Sequence, residues 1–215
     1  MSESTPPPLD EPTRALVALA AAIAQGEEPE IRKRVTAAIG AGVSPTWGDE
    51  LLLQSVLMVG WPRTLVAAGH WRKALGAPAA GGEDDLHYAD HPDWTRRGEE
   101  TCRTVYGDNY AKLRQNVRQL HPALDAWMLT EGYGRTMSRP GLDLLRRELC
   151  VIAQTAVLNT PRQLHSHLRG ALNAGASFEM VEAALAEVNA FVTYDDWKAI
   201  KELWDQVQDS WSPLA

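Results

Sequence analysis

Apolar residues recur along most of this chain at spacings of three and four, the repeat that gathers them on one face of a helix, and alternating strand patterns are almost absent. The pattern predicts a helix over 11–25 stopped by Gly26, and a second that opens at Pro29 and ends near Gly40 and Gly42. Ser44 as N-cap with Pro45 behind it opens a third, running to Val59. Gly60, Trp61 and Pro62 make a short break before helix resumes over 63–74. Residues 76–94 shift sharply towards Gly, Pro and Asp and read as a linker. Helices are then predicted over 96–105, 109–119 and 122–132, and a loop over 132–141 carries Ser138, Arg139, Pro140 and Gly141. Segments 142–158, 162–174, 178–191 and 195–209 complete an all-α chain.

Two stretches match each other without a gap at a constant offset of 133, which places Arg14 on Arg147. Leu16 then meets Leu149, Ala20 meets Ala153, Ala41-Gly42 meets Ala174-Gly175, Ser44 meets Ser177, and Leu52 meets Leu185. Any one identity between alanine-rich helices is weak. The shared order of helix, turn, helix, Ala-Gly, serine cap and helix is harder to reach by chance. The expected organisation is a disordered tail over 1–10, a first repeat over 11–75, a linker over 76–95 and a second repeat over 96–215.

Two ionisable residues interrupt the apolar stripes of the second repeat. Leu145, Glu148, Leu149 and Ile152 share one helix face, and Leu164, His167, Leu168 and Ala171 share another. Asn159, Thr160 and Pro161 form a short turn between them, so the helices fold back and the two faces meet. A carboxylate among apolar side chains is costly without compensation. Buried acids and imidazoles in general shift towards neutrality, where proton transfer works best. In the first repeat the matching positions hold Ala15 and Arg34, so the scaffold alone does not demand the pair. The alternative is structural: a hydrogen-bonded core histidine, with Glu148 paired to Arg147 or another arginine.

Composition narrows the classes. The formal charge of −7 and the lack of a basic block argue against nucleic acid as a partner. Two cysteines, Cys102 and Cys150, form no CxxC and no disulfide ladder, which suits a reducing compartment. No apolar run is expected to reach the ~20 residues of a membrane span, so no membrane partner is expected. The N-terminus lacks the regions of a signal peptide, and the default location is the cytoplasm. His165 and His167 stand two apart on a helix and point away from one another, so they do not share a metal ion. His87 and His91 fall in the linker and read as surface residues.

Residues 131–142, EGYGRTMSRPGL, followed by Leu144, Arg147, Glu148 and Leu149, are similar to the RPGLD…R-x-L signature of carboxymuconolactone decarboxylases. Gln163-Leu164, His167, Arg169-Gly170-Ala171-Leu172 and Gly175 match that family's E-L-x-x-H-x-R-x-A-L…G helix, and Cys102-Arg103 through Tyr106-Gly107 is similar to its R-x-V-x-G segment. Gly60-Trp61-Pro62 resembles the G-V-P that closes its third helix. The resemblance covers about half the chain, over 98–190. It implies an AhpD-like helical fold, carried here as two helical-hairpin repeats, and assembly as a homo-oligomer, a trimer or hexamer. In the related AhpD-type thiol peroxidases a CxxC precedes the histidine; its positions fall here on Thr160 and Gln163, which excludes that chemistry. The peroxidase branch also has a glutamate nineteen residues before the histidine that serves in proton relay, and Glu148 stands in that place.

The family's founding reaction removes carbon dioxide from a γ-carboxy lactone without a cofactor. The conjugated lactone carbonyl accepts the electron pair, and the protein must exclude water, stabilise a dienolate oxygen and reprotonate carbon. The resemblance thus points to a small-molecule substrate. His167 becomes the candidate proton donor, with Glu148 setting its charge state. Arg139 or Arg147 is a candidate carboxylate clamp, with an ion pair as the equal alternative for each. Glu131 and Tyr133 fall where the family has E-x-A-W-G: Glu131 is a candidate second catalytic carboxylate or a loop cap, and Tyr133 a substrate contact in place of the tryptophan. Three readings compete: a cofactor-free lyase or isomerase, a redox protein with an isolated thiol, and a non-catalytic binding or scaffold protein, for which eight tryptophans offer aromatic surface.

Overall fold

The computed structural model describes residues 8–77 and 90–212, and all regular structure among them is helical. Helix α1 is Glu11–Gln25, α2 is Glu28–Gly40 and α3 is Pro45–Leu75. Next come α4 (His91–Tyr106), α5 (Tyr110–Leu120) and α6 (Pro122–Trp127), then a π-helical segment, Met128–Met137. The chain closes with α7 (Leu144–Val157), α8 (Pro161–Asn173), α9 (Phe178–Val188) and α10 (Tyr194–Ser210). Most of the expected tail and linker lies outside the described residues, as does His87; α4 itself starts at His91, inside the stretch read as linker.

The matched offset is visible in the local chemistry. Asp10 caps α1 by accepting from the Thr13 amide, and Asp143 caps α7 by accepting from the Arg146 amide. Ser44 and Ser177 cap α3 and α9 in the same way. Gly42 and Gly175 each turn the chain at positive φ, 83° and 98°, where a side chain would be strained. Helix α1 packs on α7, α1 touches α9, and α7 touches α3, as a two-fold arrangement of the two hairpins requires. Side-chain bonds follow suit: Arg14 pairs with Glu187, and at the corresponding positions Arg147 donates to Gln54. Arg146 Nε donates to Thr13 Oγ1 at 2.8 Å, a bond between equivalent residues of the two copies.

One apolar core joins these hairpins and α10, with Leu16, Ile23, Leu51, Leu149, Ile152 and Leu168 fully enclosed. A second, smaller cluster of Cys102, Val105, Tyr110, Leu129, Tyr133, Met137 and Val151 joins α4, α5 and the π segment to α7.

Two expectations need correction. The stretch read as a loop over 132–141 is π-helical as far as Met137. The reason is tertiary. A Cβ on Gly134 would lie 2.0 Å from the Trp94 carbonyl oxygen, and one on Gly98 would lie 2.1 Å from that of Leu129. The two backbones thus touch through glycines, and the widened helix follows α4. Second, α3 is long enough and apolar enough to cross a membrane by length and composition, and most of its apolar stretch is not enclosed by the rest of the chain. The sequence reading divided this run at Gly60, whose φ of 72° and ψ of 174° do break the helical path.

Candidate functional site

Glu148 and His167 come together as the folded-back faces require. Helices α7 and α8 lie side by side, and His167 Nδ1 is 2.8 Å from Glu148 Oε2. A carboxylate opposite Nδ1 fixes the tautomer with its proton there, so Nδ1 donates and Nε2 is left for other chemistry. Nε2 has no hydrogen-bond partner among the described residues, and the histidine retains 8% exposure. The Glu148 side chain is fully enclosed, and its second oxygen, Oε1, is buried without a partner among the described residues. Gly170 makes room for the carboxylate: a Cβ there would lie 2.6 Å from Glu148 Oε2 and 2.7 Å from Val105 Cγ1.

Two phenols extend this pair. The Tyr106 ring meets the His167 ring edge-on with centroids 6.4 Å apart, and meets the Tyr133 ring edge-on at 6.1 Å. Burial pushes the Tyr106 hydroxyl up to about 12 and that of Tyr133 well above its ordinary value, so both phenols stay protonated. Tyr133, a candidate substrate contact, is buried behind Tyr106. Tyr106 is not among the site residues that the sequence singles out; its place beside His167 depends on how α4 crosses α8, which spacing does not reveal.

The arginines form a separate cluster. Arg147 is fully buried, and its guanidinium donates to Leu142 O, Gln54 Oε1, Arg139 O and Glu50 Oε2, the last at 2.7 Å. Expected as a carboxylate clamp, it is committed to the interior instead, because each of its nitrogens already has a protein acceptor. Arg139 makes a two-pronged contact with the same Glu50 and lines an open cleft of about 770 Å³ with Trp47, Arg96, Arg97, Ser138 and Leu142. Glu131, expected as a second catalytic carboxylate, is partly exposed and paired with Arg135 one turn on at 3.1 Å. The π segment that holds it turns Tyr133 inward and Glu131 outward.

Both thiols are fully enclosed, and burial pushes each up to about 12. A thiol so protonated supplies no thiolate. Among the described residues no three His, Cys, Asp or Glu side chains converge as a metal-ligand set.

A family model described as "Carboxymuconolactone decarboxylase family" matches residues 1–73 and 122–206. The chain belongs to the carboxymuconolactone decarboxylase family. The two matched stretches contain the two hairpins in turn, as a two-repeat member requires. Residues 74–121, with α4, α5 and Tyr106, lie outside both, including the Cys102–Gly107 segment read as a family motif. The chain is also similar to "Peroxisomal protein 2" of Schizosaccharomyces pombe, 26% identical over 180 residues, 81% of this chain and 83% of that protein. Within the family fold, the hydrogen-bonded acid and imidazole stand in the second repeat alone; Ala15 and Arg34 occupy their places in the first, where Arg34 pairs with Glu30 and covers the Phe191 ring.

Proposed function

We propose that this chain is a cofactor-free lyase or isomerase acting on a small carboxylated lactone or enolisable acid, with His167 and Glu148 as its proton-transfer pair. The observation that carries this reading is the 2.8 Å bond from His167 Nδ1 to Glu148 Oε2, which leaves Nε2 as the working nitrogen. In the decarboxylating form, the bond from ring carbon to carboxylate breaks and carbon dioxide leaves. The electron pair passes into the conjugated lactone carbonyl as a dienolate. His167, protonated on both nitrogens, gives its Nε2 proton to carbon and is then reprotonated from solvent. Glu148 balances the imidazolium while that proton waits. The matching family model supports the reaction class.

The test is carbon dioxide release from 4-carboxymuconolactone and a panel of related lactone acids. Wild-type protein is expected to release it and His167→Ala to lose at least about a hundredfold, the usual contribution of a positioned acid or base. No release from any member of the panel would overturn the lyase form, and no hydrogen exchange at the carbon beside the carbonyl would overturn the isomerase form as well.

A second reading, a non-catalytic binding or scaffold protein, is favoured by one observation: three clefts in the structure are lined by other residues, without Glu148 or His167. We also infer assembly with further copies of the chain, supported by Leu53, Leu57, Trp61 and Leu65, which stand out from α3 uncovered. Light scattering on the purified protein decides this, a monomer being the contrary result. The name of the fission-yeast relative sets a peroxisomal location beside the expected cytoplasmic one; a fluorescent fusion separates them.

A further inference from the structure

We propose that Tyr106, backed by Tyr133, is the hydrogen-bond donor to an oxyanion held beside His167, and that the site's ligands are small acids whose reacting oxygen becomes an enolate or phenolate. The inference rests on the proton-transfer reading above and adds a residue and a ligand class to it.

The geometry is carried by four elements. Tyr106 is the last residue of α4, and its neighbour Val105 is pinned to α8 by the Asn173 side-chain amide, which donates to the Val105 carbonyl at 2.9 Å. The same helix α8 carries His167, so phenol and imidazole are held to one frame. Gly107, at φ 50° and ψ −129°, turns the chain away directly after Tyr106. The Tyr106 ring lies between those of Tyr133 and His167, edge-on to each. Tyr133 is buried and Tyr106 only partly so, which makes Tyr106 the outward member of the pair.

The Tyr106 ring stands edge-on to that of His167, and its phenol stays protonated through burial, so it keeps a hydroxyl hydrogen to donate. A buried carboxylate, Glu148, lies beside this position, and an incoming anion needs a compensating donor there. The arginines of this region are turned elsewhere: Arg103 stacks on the Tyr110 ring, and Arg114 bonds to Tyr110 and Asp125. A neutral phenol beside His167 suits an oxygen whose charge grows during reaction. Tyr106 lies outside the two stretches that the family model matches.

The experiment is a titration of the full-length protein with 4-nitrophenol, read from the phenolate absorbance, for wild type, Tyr106→Phe, Tyr133→Phe and His167→Ala. Tyr106→Phe removes one oxygen from a ring that keeps its packing, and a native circular dichroism spectrum verifies its fold. Wild type is expected to bind the phenolate. Tyr106→Phe should weaken it about 10- to 100-fold, the worth of a hydrogen bond to a charged oxygen, and Tyr133→Phe by less. Equal affinity in wild type and Tyr106→Phe, or no phenolate bound by wild type, overturns the inference. Loss of binding in Tyr106→Phe with no lactone acid decarboxylated by wild type would sustain the donor and overturn the lyase reading. Decarboxylation with kcat unchanged in Tyr106→Phe would do the reverse.

Discussion

Arg147, which has no exposed surface, donates to Glu50 Oε2 at 2.7 Å, so a charge from the second repeat is answered by one from the first. Arg139 reaches the same carboxylate from the loop after the π segment. Glu50 therefore holds α3, α7 and that loop together, and takes up two arginines that chemistry alone made candidates for a ligand.

Removing one partner of such a group strands the others. Glu50→Ala is expected to cost about 3–5 kcal/mol, since it leaves a buried guanidinium uncompensated. Urea denaturation measures this; a loss below about 1 kcal/mol would show that the cluster contributes little.

Gly170→Ala sets two effects against each other. Alanine improves helix propensity by about 1 kcal/mol. Its Cβ, however, would lie 2.6 Å from Glu148 Oε2 and 2.7 Å from Val105 Cγ1, and overpacking of that kind costs about 1–3 kcal/mol. We expect a net loss of stability, with the His167 ring signals in an NMR spectrum moving as the carboxylate is displaced. A stabilised variant with unmoved signals would contradict this.

Asp125 gives a pH dependence whose sign is fixed. Hydrogen bonds from Arg114 and Arg118 hold its carboxyl below the ordinary value of 3.8. The folded state therefore binds that proton more weakly than the unfolded chain does. The stabilisation is complete above about 3.8 and is lost as pH falls through the lower folded value. Asp125→Asn should be less stable than wild type by about 2 kcal/mol at pH 7, the scale of charge-assisted bonds, and the gap should close on acidification below pH 4. Thermal melts across that range check it; a gap that is constant with pH would contradict it.

Local signals made much of the fold legible. The caps Ser44 and Ser177, the stop at Gly26 and the offset between repeats are each written within a few residues, and the stripe containing Glu148 and that containing His167 predicted their meeting. What spacing did not carry were crossings between distant segments. The π segment depends on Gly134 touching Trp94, and Tyr106 depends on α4 lying across α8. Arg147 has the pattern of a ligand-binding arginine until Glu50, 97 residues away, is seen beside it.

The central claim is that His167, held by Glu148, moves a proton to and from carbon. Its most direct test is proton NMR of a lactone acid in D2O, following the signal of the carbon-bound hydrogen next to the carbonyl. Wild-type protein should exchange that hydrogen for deuterium, while His167→Ala and Glu148→Gln should do so at the uncatalysed rate. Exchange that persists undiminished in His167→Ala would show that the imidazole is not the group that carries the proton.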